Sequence, residues 1–168
     1  MDTNRTDDLA SFLDKVSKIP RKKEHTLFFR GHASENFSAL PAIFRAIPKS
    51  SSSEKYIDKE AQLFHNMIMQ CPDEFKDSVS TFDHLVKMQH YSLPTRLLDI
   101  TTNPLVSLYF ACSEFIDEGT NGEVIVYQIP NNEIKFYNSD TVSVISNLAQ
   151  LNNDFDTKSD DYREKYIH

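Results

Sequence analysis

Glycine is scarce in this chain: three residues among 168, two of them in the turn Gly119-Thr-Asn-Gly122. A glycine-rich loop that cradles phosphate cannot be built from that supply, and neither the dinucleotide fingerprint nor the Walker pattern occurs. Tryptophan is absent, and cysteine is limited to Cys71 and Cys112. Two cysteines without metal-like spacing argue against a disulfide framework or a zinc site, so each is expected as a small buried hydrophobe. His25, His32, His65 and His84 show no ligand spacing either, and no metal is expected. Positive charge is in deficit. A net charge of −7 gives phosphate backbones no overall attraction. The basic run Lys18-Ile-Pro-Arg-Lys-Lys23 reads as a solvated linker, and nucleic acid is disfavoured as a partner. No apolar run approaches the roughly 20 residues that cross a bilayer. The opening Met1-Asp-Thr-Asn-Arg-Thr-Asp-Asp lacks the apolar stretch of a secretion signal. No membrane partner is expected, and a cytoplasmic location is.

What remains is an ordinary globular composition, 39% hydrophobic and 26% charged, with enough length for one domain and its core. Leu9, Phe12, Leu13 and Val16 fall at helical spacing over 7–17, and Pro20 ends that helix. His25-Thr-Leu-Phe-Phe29 reads as a strand running into Arg30-Gly31, where glycine suits a tight turn or a close backbone approach. Pro41-Ala-Ile-Phe-Arg45 reads as an apolar anchor or a single helical turn, and 48–53 as a loop. Helices are expected over 54–69, ending near Pro72, over about 80–91, and over 105–115. Pro104 should open the last of these, with Asn103 or Thr102 as its cap. Glu123-Val-Ile-Val-Tyr-Gln-Ile129 is the clearest strand, and 141–151 reads as helix or strand. The expectation is an α+β fold of one domain, a small sheet packed with three or four helices.

Functional side chains crowd between two apolar helices: Gln89, His90, Thr95, Arg96, Asp99, Thr101 and Thr102. A loop held between rigid elements is a common place for binding groups. The bland alternative is that Arg96 and Asp99 pair with each other while the threonines cap the next helix. Arg30 stands at a strand end with its planar fork suited to phosphate or carboxylate, or equally to an ion pair with an acid such as Asp99. His90 could serve as a general base, or simply complement the end of its helix.

Phe29-Arg-Gly31, Leu40-Pro-Ala-Ile-Phe-Arg45, Met88-Gln-His-Tyr-Ser-Leu-Pro-Thr-Arg-Leu-Leu-Asp99, Thr101-Thr-Asn-Pro-Leu-Val-Ser-Leu-Tyr-Phe-Ala111 and Gly122-Glu-Val-Ile-Val-Tyr127 together resemble the FRG domain family, over roughly residues 27–130. Ser92 stands where that family usually has glycine, Ile100 where it has tryptophan, and Ser107 where it usually has alanine. The resemblance divides the chain into an N-terminal helix and linker over 1–22, an FRG-like domain over 23–155 and a polar tail over 156–168. Family members commonly continue further, so a fragment or shortened member is expected.

At a distance the pattern is similar to ADP-ribosyltransferases, in which an aromatic–Arg–Gly motif binds NAD and a Ser/Thr motif leads into a helix. That similarity implies NAD as cofactor, with Arg30, Gly31, Thr101 and Thr102 as counterparts. Gln89, His90, Thr95, Arg96 and Asp99 join them as a ligand-binding set. Candidate catalytic groups are His90, Asp99 and Glu123, although Glu123 comes early for the glutamate such enzymes use. The function expected is a site for a nucleotide- or NAD-type anion, catalytic or not. The alternatives are a ligand- or protein-binding module of a bacterial or phage conflict system, and a purely structural network.

Overall fold

The computed structural model describes residues 5–48, 54–113 and 119–151. The loop expected at 49–53, the end of the helix expected through Phe115 and the tail beyond 151 lie outside the described residues. The chain divides into two compact units, Met1–Ser38 with Asp99–Ile134, and Ala39–Leu98 with Lys135–His168. The α+β class holds, with six α-helices and a two-stranded antiparallel sheet among the described residues. The helix number exceeds the expectation because a short helix opens at Pro72 and 141–151 resolves as helical.

The first unit contains α1 (Leu9–Ser17), β1 (His25–His32), α5 (Pro104–Cys112) and β2 (Glu123–Pro130). Asp8 caps α1 by accepting the Ser11 N–H at 2.8 Å. That N–H holds the Asp8 carboxyl below its usual pKa, so the cap supports α1 at neutral pH and is lost as acid protonates it. Phe12 is the buried residue of the helix. β1 runs three residues past the expected Phe29, because Gly31 pairs with Val124 and His32 with Glu123 across the ladder. Pro130, which has no N–H to give, closes β2. On its other edge β1 gains a single bridge: Phe29 donates to the Thr101 carbonyl at 2.7 Å and accepts from the Thr101 N–H at 2.9 Å.

Helix α5 begins as its sequence predicts. Pro104 takes the first turn, and the Asn103 side chain accepts the Leu105 N–H at 3.0 Å. It carries no charged residue and lies directly on β1, with Ser107 and Ala111 buried. Two glycines permit this contact. A Cβ on Gly31 would stand 1.8 Å from the Ser107 carbonyl oxygen, and one on Gly122 would stand 2.1 Å from that of Ala111. Gly31 therefore lies inside the strand, and the close approach it permits is that of a helix backbone. Cys112, expected to be buried, is exposed. With Ser107 and Ala111 facing the sheet, the next position is turned away from it.

The second unit contains α2 (Glu60–Gln70), α3 (Pro72–Phe75), α4 (Thr81–His90) and α6 (Asp140–Asn147). The helix expected from residue 54 begins instead as a 3-10 turn, Tyr56–Lys59, leading into α2. Pro72 ends α2 and occupies the first turn of α3. A capping box starts α4: Ser80 Oγ accepts the Asp83 N–H at 3.2 Å, and Asp83 Oδ2 accepts the Ser80 N–H at 3.0 Å. Phe64, Phe75, Leu85, Met88 and Ala149 form the core, flanked by Met67, Ile68, Cys71, Leu93 and Leu97. Full burial of such side chains is worth about 1.5–3 kcal/mol each.

The end of α4 explains one departure from the family pattern. Ser92 donates to the Gln89 carbonyl at 2.9 Å and Leu93 to that of Met88 at 3.0 Å, the paired bonds of a Schellman turn. That turn needs a left-handed residue, and Ser92 has φ of 62°. A side chain there costs about 1 kcal/mol that glycine avoids. Ser92→Gly should therefore raise the denaturant midpoint by a stability increment of up to about 1 kcal/mol, less what glycine adds to unfolded-chain entropy. A lowered midpoint would count against this account.

Candidate functional site

The sequence-identified side chains fall into two groups, one in each unit. In the first unit, the period of two along β1 puts Arg30 and His32 on one face, opposite the face that Gly31 turns to α5. The register sets Glu123 across from His32 on that same face. Arg30 is partly buried and His32 is 5% exposed. Arg30 Nε donates to His32 Nε2 at 2.8 Å, and Arg30 Nη1 donates to the main-chain carbonyl of Asp99 at 2.8 Å. Because the arginine can only donate, His32 Nε2 must present a lone pair, which puts the imidazole proton on Nδ1. That Nδ1 lies 3.9 Å from Glu123 Oε2. The result is a line of polar groups across the two strands: Asp99 carbonyl, Arg30, His32, Glu123.

Thr101 and Thr102 adjoin this line in sequence but serve the backbone differently. Thr101 makes the bridge to Phe29, and its hydroxyl accepts the Asn103 N–H at 3.1 Å. Thr102 is exposed in the bend that leads to the α5 cap. The expected ion pair of Arg30 with Asp99 takes the form of a bond to the Asp99 carbonyl oxygen. His32 is not among the sequence-identified residues, although Arg30-x-His32 at strand spacing is a signal that both share a face. Glu123, a catalytic candidate, comes early in the chain for that role. An antiparallel partner reverses direction, and that is how its first residue comes to stand against the last residue of β1.

In the second unit, Thr95 is 2% exposed and acts as a hub. Its hydroxyl donates to Gln89 Oε1 at 3.1 Å and accepts the Leu97 N–H at 3.3 Å, while its carbonyl accepts the Ile43 N–H at 3.2 Å. Arg96 binds Glu60 with two parallel bonds, Nε to Oε1 at 2.8 Å and Nη2 to Oε2. Glu60 is only 7% exposed, so its carboxylate needs that fork. The partner of Arg96 is thus Glu60 rather than Asp99, and no local pattern marked it, since the two are 36 residues apart. His90 ends α4 with its ring exposed, a place where histidine complements the helix terminus.

Among the described residues, no group of three or more His, Cys, Asp or Glu side chains could hold a metal ion. None of the described helices is long and apolar enough to cross a membrane. No curated protein and no solved structure shows a significant match to the chain. A family model for the FRG domain does match, over residues 25–119. Those residues run from the first residue of β1, through the Arg30-Gly31 pair and the Thr95-Arg96 hub, to the end of α5 and beyond. With more than half its length matched, the chain belongs to the FRG domain family.

Proposed function

We propose that this FRG domain binds an anionic ligand of nucleotide type, NAD among the candidates, through Arg30 on the face of β1 turned away from α5. The observation that carries this reading is how the guanidinium is held. Nε is tied to His32 and one Nη1 hydrogen to the Asp99 carbonyl. The Nη2 hydrogens and the second on Nη1 have no bond to any described residue, which leaves the end of a pre-oriented fork for a phosphate or carboxylate. Arg96 differs in charge rather than in donor number, because its bidentate pair with Glu60 sets a carboxylate against the guanidinium.

The same line of groups supports a catalytic version of this reading. If NAD is the ligand, loss of nicotinamide develops oxocarbenium character that a nearby carboxylate stabilises, and Glu123 would supply it. A second reading, binding without chemistry, draws on the position of Glu123 against His32, where its charge faces the imidazole. In that version the domain is a ligand sensor or protein-binding module, as a conflict system would use.

Proton NMR of NAD mixed with the chain tests both versions. Binding should broaden the NAD lines, and Arg30→Ala should weaken it roughly tenfold to a hundredfold, the worth of a charge-assisted hydrogen bond. Free nicotinamide that disappears in Glu123→Gln would establish the enzyme. Broadening without release would favour the sensor. Neither effect at millimolar NAD would overturn NAD as the ligand.

A further inference from the structure

We propose that His32 is the positioning residue of the Arg30 site: it locks the guanidinium plane so that the far end of the fork meets the ligand. This inference rests on the reading of Arg30 as the anion-binding group. A free arginine side chain loses about 2 kcal/mol of rotamer entropy when a ligand immobilises it. Here that ordering is done in advance. His32 is almost fully buried, and the Phe37 ring meets it edge-on with centroids 6.4 Å apart. Its Nε2 accepts from Arg30 Nε at 2.8 Å. On the opposite side of the ring, Nδ1 faces the Glu123 carboxylate at 3.9 Å. A carboxylate on that side favours the proton on Nδ1, and so keeps a lone pair on Nε2 for the arginine. Glu123 thus reaches Arg30 through His32, and the Asp99 carbonyl pins the other arm of the fork. A histidine buried only for packing would need none of this directionality.

The bond between Arg30 and His32 requires an acceptor at the ring position, and glutamine can supply one where leucine cannot. Inorganic pyrophosphate and NAD are the probes, with affinities measured by titration calorimetry on the full chain. His32→Leu should weaken both by roughly tenfold or more. His32→Gln should recover most of that loss, and thermal unfolding of the two variants shows whether either loss is one of folding. If His32→Leu does not fold, nitrogen-15 NMR of the histidine rings in the unaltered chain decides. The expected signature is an unprotonated Nε2, a protonated Nδ1 and a slowly exchanging Arg30 Nε–H. A ring carrying its proton on Nε2, or equal affinities for the leucine and glutamine variants with both folded, would overturn the positioning role. The Arg30→Ala control separates the two levels. Unchanged pyrophosphate and NAD affinity in that variant would sink the binding reading itself, whereas loss in Arg30→Ala with full affinity in His32→Leu would sink only the role of His32.

Discussion

Gly31→Ala should destabilise the protein by about 3 kcal/mol or more, at or above the upper end of the range for an overpacked core. The reason is what the added methyl would meet. It would stand 1.8 Å from the Ser107 carbonyl oxygen and 2.8 Å from the Ala111 nitrogen, both backbone atoms of α5. No side chain can rotate away to make room, so the helix itself must retreat from the strand and give up the contacts of Ser107 and Ala111. Gly119 provides the internal control. Its φ is +87°, but a Cβ there meets nothing within 4 Å. Gly119→Ala should therefore cost only the backbone strain of a left-handed residue, about 1–2 kcal/mol. Guanidinium denaturation of the two variants side by side gives the comparison. Equal midpoints would mean that α5 can shift at no cost beyond a strain of that size.

Arg96→Ala should cost about 3–5 kcal/mol, because it strands the Glu60 carboxylate in a nearly buried position. Arg96→Met combined with Glu60→Met should recover most of that loss, since replacing both charges with apolar groups leaves nothing unpaired. The double variant should also keep any affinity for NAD or pyrophosphate, because the proposed ligand site draws on Arg30 instead. If the single variant kept full stability and lost ligand binding, Arg96 would be a binding group and the assignment of roles between the two arginines would reverse. The contrast between them is chemical. One guanidinium spends its charge on a carboxylate, with side chains 20% and 9% exposed, and the two bonds of the other go to the His32 ring and the Asp99 carbonyl rather than to a carboxylate.

Much of the local structure is legible in the sequence. Apolar spacing marks the helices near 7–17, 80–91 and 105–115, and of the two caps the sequence offers before Pro104, Asn103 or Thr102, the structure takes Asn103. These features depend on neighbours within one or two turns, which a sequence displays in order. The family motif also located Arg30. Less was legible about partners. Closeness in the chain suggests Asp99 as one alternative partner for Arg96, whereas the fold supplies Glu60 from the start of α2. His32 was set aside for lacking metal spacing, although its alternation with Arg30 on a strand was already visible.

Element types, the α+β class and the family follow from residue periodicity, capping chemistry and contiguous motifs, all of which are local to the chain. Tertiary packing settled which face of β1 carries α5 and which carries Arg30 and His32. Antiparallel pairing brought Glu123 to His32 across 91 positions of chain, and helix packing seated α5 on Gly31. Contacts of that kind arise from the mutual fit of distant segments. Their energies are shared between both partners, so neither partner's local sequence encodes them.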